Sequence, residues 1–338
     1  MTPRSNPLLI GHAAAEATLA DAMRSGRMHH AWLITGPSGI GKATLAFRFA
    51  RRLLAGAGTG DSLALDANHP VFRRVAASSH ADLLTVERER DPKTRRLRSE
   101  IVVEDVREIA DFLRLTPAEG GWRVVVVDGA EELNRSAVGA LLKVLEEPPE
   151  RAVLLLVCAA AGRLLPTIRS RCRRLRLSPL AERDLARLLA ILLPDLDPSE
   201  RGRLVALAEG SPGRALQLAA AGGVGAAETV EKILEAVPGL DQDGAATRAH
   251  AIADALGRDE DAFSTFMDLL RATIASAVRD TARGHAAPDQ TKLLGNRPLA
   301  DWVDVWHALA RLQDETETAH LDRRQAIVTS LRSLAGAN

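Results

Sequence analysis

Gly36, Gly39, Gly41 and Lys42 stand in the stretch Gly36-Pro37-Ser38-Gly39-Ile40-Gly41-Lys42-Ala43, with the spacing of a phosphate-binding loop. The glycines let consecutive backbone N–H groups curl round phosphate oxygens, with a helix N-terminus behind them. The Lys42 ammonium would reach the β and γ phosphates. The alternative is a Gly-rich turn that holds no ligand. The next position normally carries a Ser or Thr hydroxyl for Mg²⁺, and here it is Ala43. Thr44 lies about 100° further round a helix, which makes it a poor substitute.

A second chemical position closes the run Val124-Val125-Val126-Val127-Asp128, where the carboxylate is placed to hold Mg²⁺. In ATPases with such a loop a Glu usually follows, to polarise the attacking water. Gly129 and Ala130 follow here. Losing a general base removes about two to four decades of rate, roughly 3–5 kcal/mol of barrier lowering. Glu131 and Glu132 read as solvated carboxylates at a helix start. A further cluster, Arg169, Arg171, Arg173, Arg174 and Arg176, is strongly basic, and each member alone reads as a solvated charge.

Strands and helices must alternate to bring these positions together. Ala31–Thr35 is a strand running into the loop, and a helix follows from Lys42 to Leu54. Asp82–Val86 is a second strand, Val124–Asp128 a third and Ala152–Val157 a fourth. The four valines predict burial on both faces, as in a parallel sheet. Arg173–Leu177 alternates charged and apolar residues and suits an edge strand. Ile101–Leu115 carries apolar residues at helical spacing. Asn134 can cap a helix that Pro148-Pro149 stops after Glu147. Gly56–Gly60 reads as a flexible break and Glu87–Glu100 as a charged, solvated loop. The whole predicts an α/β parallel-sheet domain.

After Ser178-Pro179 no strand pattern returns. Ala181–Leu193, Ser199–Glu209 and Ser211–Ala221 read as a small helical bundle, and Gly222–Gly225 as a linker. From Ala226 the chain is helical again, with amphipathic segments at Asp259–Gly284, Pro298–Glu315 and Asp322–Ala335 and breaks at Pro238-Gly239 and Ala286–Pro288.

The 338 residues call for two or three domains. Lys+Arg and Asp+Glu are both 44, which argues against a free-standing, non-specific nucleic-acid binder. Two cysteines, Cys158 and Cys172, suit a reducing cytoplasm and are too few for a four-thiolate zinc site. No apolar run approaches the roughly 20 residues that span a bilayer. The first residues do not read as a signal peptide. His69 and His80 read as surface residues, and His29 and His30 as structural ones.

Asn134-Arg135-Ser136-Ala137 with Ala140-Leu141-Leu142-Lys143-Val144-Leu145-Glu146-Glu147-Pro148-Pro149 resembles the central helix of bacterial clamp-loader subunits. Leu164–Cys172 resembles their Ser-Arg-Cys motif. Over residues 8–216 the chain is similar to δ′-like members of that AAA+ family; beyond, only Leu321–Ala326 looks familiar. The resemblance implies a RecA-like AAA+ domain over residues 1–177, a helical lid over 178–222 and an all-α collar over 226–338. It also implies that Arg171 is a finger reaching the ATP of a neighbouring subunit, a role that suits a permanent charge with bidentate geometry.

Several positions depart from the catalytic members. Cys158-Ala159-Ala160-Ala161 fills the place of a hydroxyl sensor, and Gly210-Ser211-Pro212-Gly213 replaces a Gly-Ser-x-Arg lid motif, with Arg214 shifted by one. Many relatives have a four-cysteine zinc module between the two nucleotide motifs; Leu53–Leu83 has no Cys, so no zinc is expected. The expectation is a degenerate nucleotide site of Gly36, Gly39, Gly41, Lys42, Ala43, Thr44 and Asp128 that needs no cofactor and binds ATP or ADP weakly. The chain itself would not hydrolyse ATP. Its implied partners are γ/τ-like ATPase subunits and a δ-like subunit, with the sliding β clamp and primer–template DNA reached through the complex. The rival is an active γ/τ-like motor that hydrolyses ATP itself; a small-molecule kinase is a more distant one.

Overall fold

The structure, a computed structural model, describes residues 2–56, 62–89, 98–119, 121–220, 230, 249–254, 260–319 and 321–335. They form two compact units, one of residues 1–194 with 209–213 and one of residues 195–208 with 214–338.

The first unit is built on five parallel strands: β1 (Ala31–Thr35), β2 (Leu83–Val86), β3 (Arg123–Asp128), β4 (Ala152–Cys158) and β5 (Arg173–Arg176). Their order across the sheet is β2-β3-β4-β1-β5. In-register pairs such as Asp128 with Val157 and Thr35 with Cys158 bring the carboxyl ends of β3, β4 and β1 level. This is the parallel-sheet α/β architecture expected. The valine run is buried on both sides because alternate residues feed two cores. Trp32, Ile34, Val124, Val126, Val153 and Leu155 face α1 (Ala13–Arg24), α2 (Lys42–Leu54) and α3 (Pro70–Ala76). Leu33, Val125, Val127, Leu154 and Leu156 face α4 (Val103–Arg114), α5 (Arg135–Glu146) and α6 (Pro166–Arg171).

Local signals explain the ends. Asn134 Oδ1 accepts the Ala137 N–H at 2.9 Å and so caps α5 as its sequence position implies. The Asp105 carboxylate accepts the Val102 N–H at the start of α4. β5 is an edge strand in which only Leu175 is buried. α1 gives little signal in the sequence because its Ala-rich face carries little apolar contrast, and α3 and α6 are too short for periodicity to show. Both short helices place Pro at their first turn, a signal that was available. α7 (Glu182–Leu192) completes this unit.

In the second unit the described residues are helical and irregular, with no strand among them. α8 (Pro198–Leu207), the end of α9 (Pro212–Ala220), α10 (Glu260–Ala282), α11 (Pro288–Leu294), α12 (Leu299–Ala319) and α13 (Arg323–Ala335) belong to it. α11 starts at Pro288, within the stretch read as a break, because proline is tolerated where a helix begins. Phe263, Phe266, Leu270 and Ile274 of α10 are buried, as are Trp302 and Leu309 of α12 and Ile327 and Leu331 of α13. Gln313 accepts from Arg271 and donates to Asp268, tying α12 to α10. The linker Gly222–Gly225, the break at Pro238-Gly239, and residues 57–60 and 90–97 of the two earlier loops lie outside the described residues.

Candidate functional site

The phosphate-binding loop leaves β1 at Thr35 and enters α2 at Lys42. Its three glycines, Gly36, Gly39 and Gly41, have φ of 147°, 72° and 100°. Three successive loop carbonyls are held by the protein. Ser211 Oγ donates to Ser38 O at 3.1 Å, the Gly213 N–H to Gly39 O at 2.8 Å, and His12 Nε2 to Ile40 O at 2.7 Å. In a trans peptide the N–H opposes the C=O, so the amides of Gly39, Ile40 and Gly41 are turned the other way, as an anion-binding nest requires. The altered lid motif contributes to this directly. A Cβ at Gly213 would lie 2.8 Å from Gly39 Cα, so only glycine permits the approach. The departure from Gly-Ser-x-Arg is visible in the sequence, but this use of Gly213 is not; the paired glycines 210 and 213 are the only signal of it.

Lys42 is buried, and its Nζ donates to Pro37 O at 2.6 Å. Burial lowers its pKa, opposed by the carboxylates of Glu131 and Asp128. Asp128 ends β3 as read; burial raises its pKa, and so does Glu87, while Lys42 acts against them. The structure therefore brings Gly36, Gly39, Gly41, Lys42 and Asp128 to one end of the sheet. Thr44 is buried in α2 and Ala43 packs partly against the core beneath.

Glu131 and Glu132 are not the free carboxylates that the sequence suggested. Glu131 Oε1 accepts from the Ala159 N–H at 2.6 Å and the Ala160 N–H at 3.2 Å, where β4 ends. It thus occupies the amides that follow Cys158. Glu132 Oε2 pairs with Arg88 Nε at 2.6 Å. Both are drawn in because residues 130–132 form a single 3-10 turn that points them back over the strand ends. Gly129 before them has φ 84°, and a Cβ there would lie 2.6 Å from Glu132 Oε2. A glutamate at this position would meet a left-handed backbone, and the tip of the flexible Glu132 side chain would have to swing aside.

These residues fit the phosphates of a nucleotide: loop amides, a helix N-terminus and Lys42. They do not fit a catalytic Mg²⁺, because Ala43 offers no oxygen and Asp128 is left as a single carboxylate ligand. Among the described residues there is also no cluster of three or more His, Cys, Asp or Glu that could hold a metal ion.

Arg171 stands apart from this loop, at the end of α6. Its Nη2 donates to Glu146 Oε1 at 2.8 Å and its Nη1 to Thr167 O at 3.1 Å, with the side chain 36% exposed. Of its basic neighbours, Arg173 stacks over the Trp32 ring at 4.8 Å.

Cys158 ends β4 and Cys172 follows α6; both are free and buried. Burial pushes the Cys158 thiol up to about 12, with Glu131 adding to it, and burial pushes Cys172 up to about 11. Alkylation by iodoacetamide at pH 8 is expected to be slower in the folded chain than in urea, roughly 10³-fold at Cys158 and roughly 10²-fold at Cys172. Equal rates, read by mass spectrometry, would contradict the burial of both. His80 corrects the surface assignment: it is buried, and its Nδ1 accepts from the Asp82 N–H at 3.2 Å. His69 instead caps α3 by accepting the Val71 N–H. His29 and His30 stack on each other at 4.5 Å before β1. A cleft of 780 Å³ runs beside β2, lined by Arg4, His80, Leu84, Glu87, Arg88 and Glu108 among others; no phosphate-loop residue lines it.

A parallel sheet with a glycine-rich loop after β1 and an aspartate closing the third strand defines a phosphate-binding-loop α/β domain. Residues 11–181 match the DNA polymerase III, delta subunit family, and the chain belongs to it. It is 37% identical over 216 residues to DNA polymerase III subunit delta′ of Pseudomonas aeruginosa, covering 62% of this chain and 61% of that protein. It is 30% identical over 263 residues to DNA polymerase III subunit tau of Escherichia coli, covering 75% of this chain and 39% of tau. The matches thus span less than two thirds of these relatives' length. A DNA polymerase III gamma subunit-related protein of Thermotoga maritima aligns with a TM-score of 0.48 at 21% identity, over 94% of this chain and 99% of that one. Among the described residues no helix is long and apolar enough to cross a membrane.

Proposed function

We propose that this chain is a δ′-like, catalytically silent subunit of a clamp loader, acting in the cytoplasm during DNA replication. The observation that carries the reading is Gly129. It stands where the water-polarising glutamate would, on a left-handed backbone that side-chain-bearing residues rarely adopt, and Ala43 removes a magnesium ligand as well. The site retains what a weak ATP or ADP contact needs, and the chain requires no cofactor and no zinc.

In this reading residues 178–222 act as a lid and residues 226–338 as a collar that holds the chain among γ/τ-like ATPase subunits and a δ-like subunit. Arg171 serves the ATP of the adjoining subunit, its guanidinium stabilising charge on the transferring phosphoryl group. The assembled loader uses ATP to open the sliding β clamp and place it on primed DNA; this chain performs no covalent step.

The purified chain with ATP and Mg²⁺ is expected to turn over at background. Several turnovers per second by contaminant-free protein would overturn the silent reading in favour of a γ/τ-like motor, which the likeness to tau keeps as the second reading.

A further inference from the structure

Two motifs 25 residues apart meet at Arg171. α5 ends at Glu146, stopped by Pro148-Pro149, and α6 ends at Arg171. Both helices are anchored in one core: Leu141 and Leu145 of α5 pack with Ile168 of α6 and with Cys172 beyond it. At their ends Glu146 Oε1 takes one guanidinium N–H at 2.8 Å and the Thr167 carbonyl takes another at 3.1 Å. An arginine has five N–H groups in a planar fork. Two are spent on fixing the plane, and three remain for a phosphate.

We propose that Glu146 is a positioning residue for Arg171: it holds the guanidinium in one orientation before a neighbour's nucleotide arrives. This rests on the reading of Arg171 as a finger acting in trans. A long arginine side chain carries large rotamer freedom, and ordering it in advance spares that loss at the reacting centre. The Glu146 carboxylate is 51% exposed, so it can hold the group without sealing it from a partner. Glu146 does not touch the nucleotide in this scheme.

The test is a reconstituted loader containing this chain, its ATPase partners, clamp and primed DNA, with ATP turnover read at saturating and limiting ATP. Glu146→Ala is expected to lower kcat at the facing site roughly 10-fold with KM unchanged, since small misplacements of a reacting group cost up to about 10²-fold. Glu146→Gln keeps an oxygen acceptor of the same shape and is expected to recover most of the loss. Adding Glu146→Ala to Arg171→Ala is expected to cost nothing beyond Arg171→Ala alone.

The outcomes separate the two claims. Arg171→Ala with wild-type turnover would remove the finger reading and this inference with it. If Arg171→Ala is crippling while Glu146→Ala leaves kcat unchanged or raises it, the finger stands and positioning by Glu146 is wrong. A Gln variant no better than Ala, or a double variant worse than Arg171→Ala, would also overturn it. Should the Ala variant fail to assemble, the shape-conserving Gln variant carries the test: kcat below one tenth of wild type with assembly intact would refute the hydrogen-bond role.

Discussion

Arg171→Ala is expected to leave this chain folded and assembled while crippling ATP turnover in the neighbouring subunit. An arginine finger contributes about three to five decades to phosphoryl transfer, roughly 4–7 kcal/mol at 1.36 kcal/mol per decade. The cost to the chain itself should be small. The Arg171–Glu146 pair is 36% and 51% exposed, and exposed pairs contribute about 0–1 kcal/mol. One ATP site of the assembly faces this subunit in the proposed arrangement, so bulk hydrolysis falls by less than the facing site does. Clamp loading falls further if the sites fire together.

The companion variant is Lys42→Ala. Its ammonium donates to Pro37 O and lies among loop amides in a site without a full set of magnesium ligands. It should change loading little. The informative comparison is the pair of single variants in one reconstituted loader. Abolished loading with Lys42→Ala, and wild-type loading with Arg171→Ala, would make this chain a motor rather than a finger donor.

The second large effect is expected from Asp82→Ala, on stability. Asp82 is 1% exposed, and its two oxygens accept the Ala118 N–H at 2.8 Å and the Glu119 N–H at 3.1 Å. Arg123 Nη2 lies 3.7 Å away and is buried as well. The guanidinium also donates to Phe112 O and Thr116 O and covers the Phe112 ring at 4.5 Å. This arrangement joins the start of β2, the end of α4 and the start of β3. Removing the carboxylate leaves a buried cation without its counter-charge and two amides without acceptors. Breaking a buried pair from one side costs about 3–5 kcal/mol. Urea titrations of the full chain, followed by tryptophan fluorescence, should show the first transition moved by that much. A shift under about 1 kcal/mol would mean that water repairs the site. The Arg74–Glu119 pair nearby is exposed, and Glu119→Ala is expected to produce no comparable shift.

These cases divide what was readable in the residues from what was not. Strand identity was legible because four valines or a fully apolar run have no solvated alternative. The phosphate loop was legible because its glycines and Lys42 are contiguous, and Asn134 capping α5 because a cap is a local bond. Arg171 was singled out by its place in a motif. The departures at Ala43 and Gly129 were legible as well, because each is a side-chain oxygen missing from a contiguous motif.

Long-range placement was not legible. Glu131 reaches the amides of Ala159 and Ala160, 28 and 29 positions on, and the Gly213 N–H closes on Gly39. The burial of His80 is not legible because a lone histidine carries no periodic signal; the turn before β2 buries it. Glu146 and Arg171 each stood in a recognisable motif, but nothing in the string paired them; two helix ends bring them to 2.8 Å. Periodicity and capping act over a few residues and survive in a linear string. Pairing between charges depends on which strand ends lie level and which helix ends converge, and the packing of the sheet's two faces decides both.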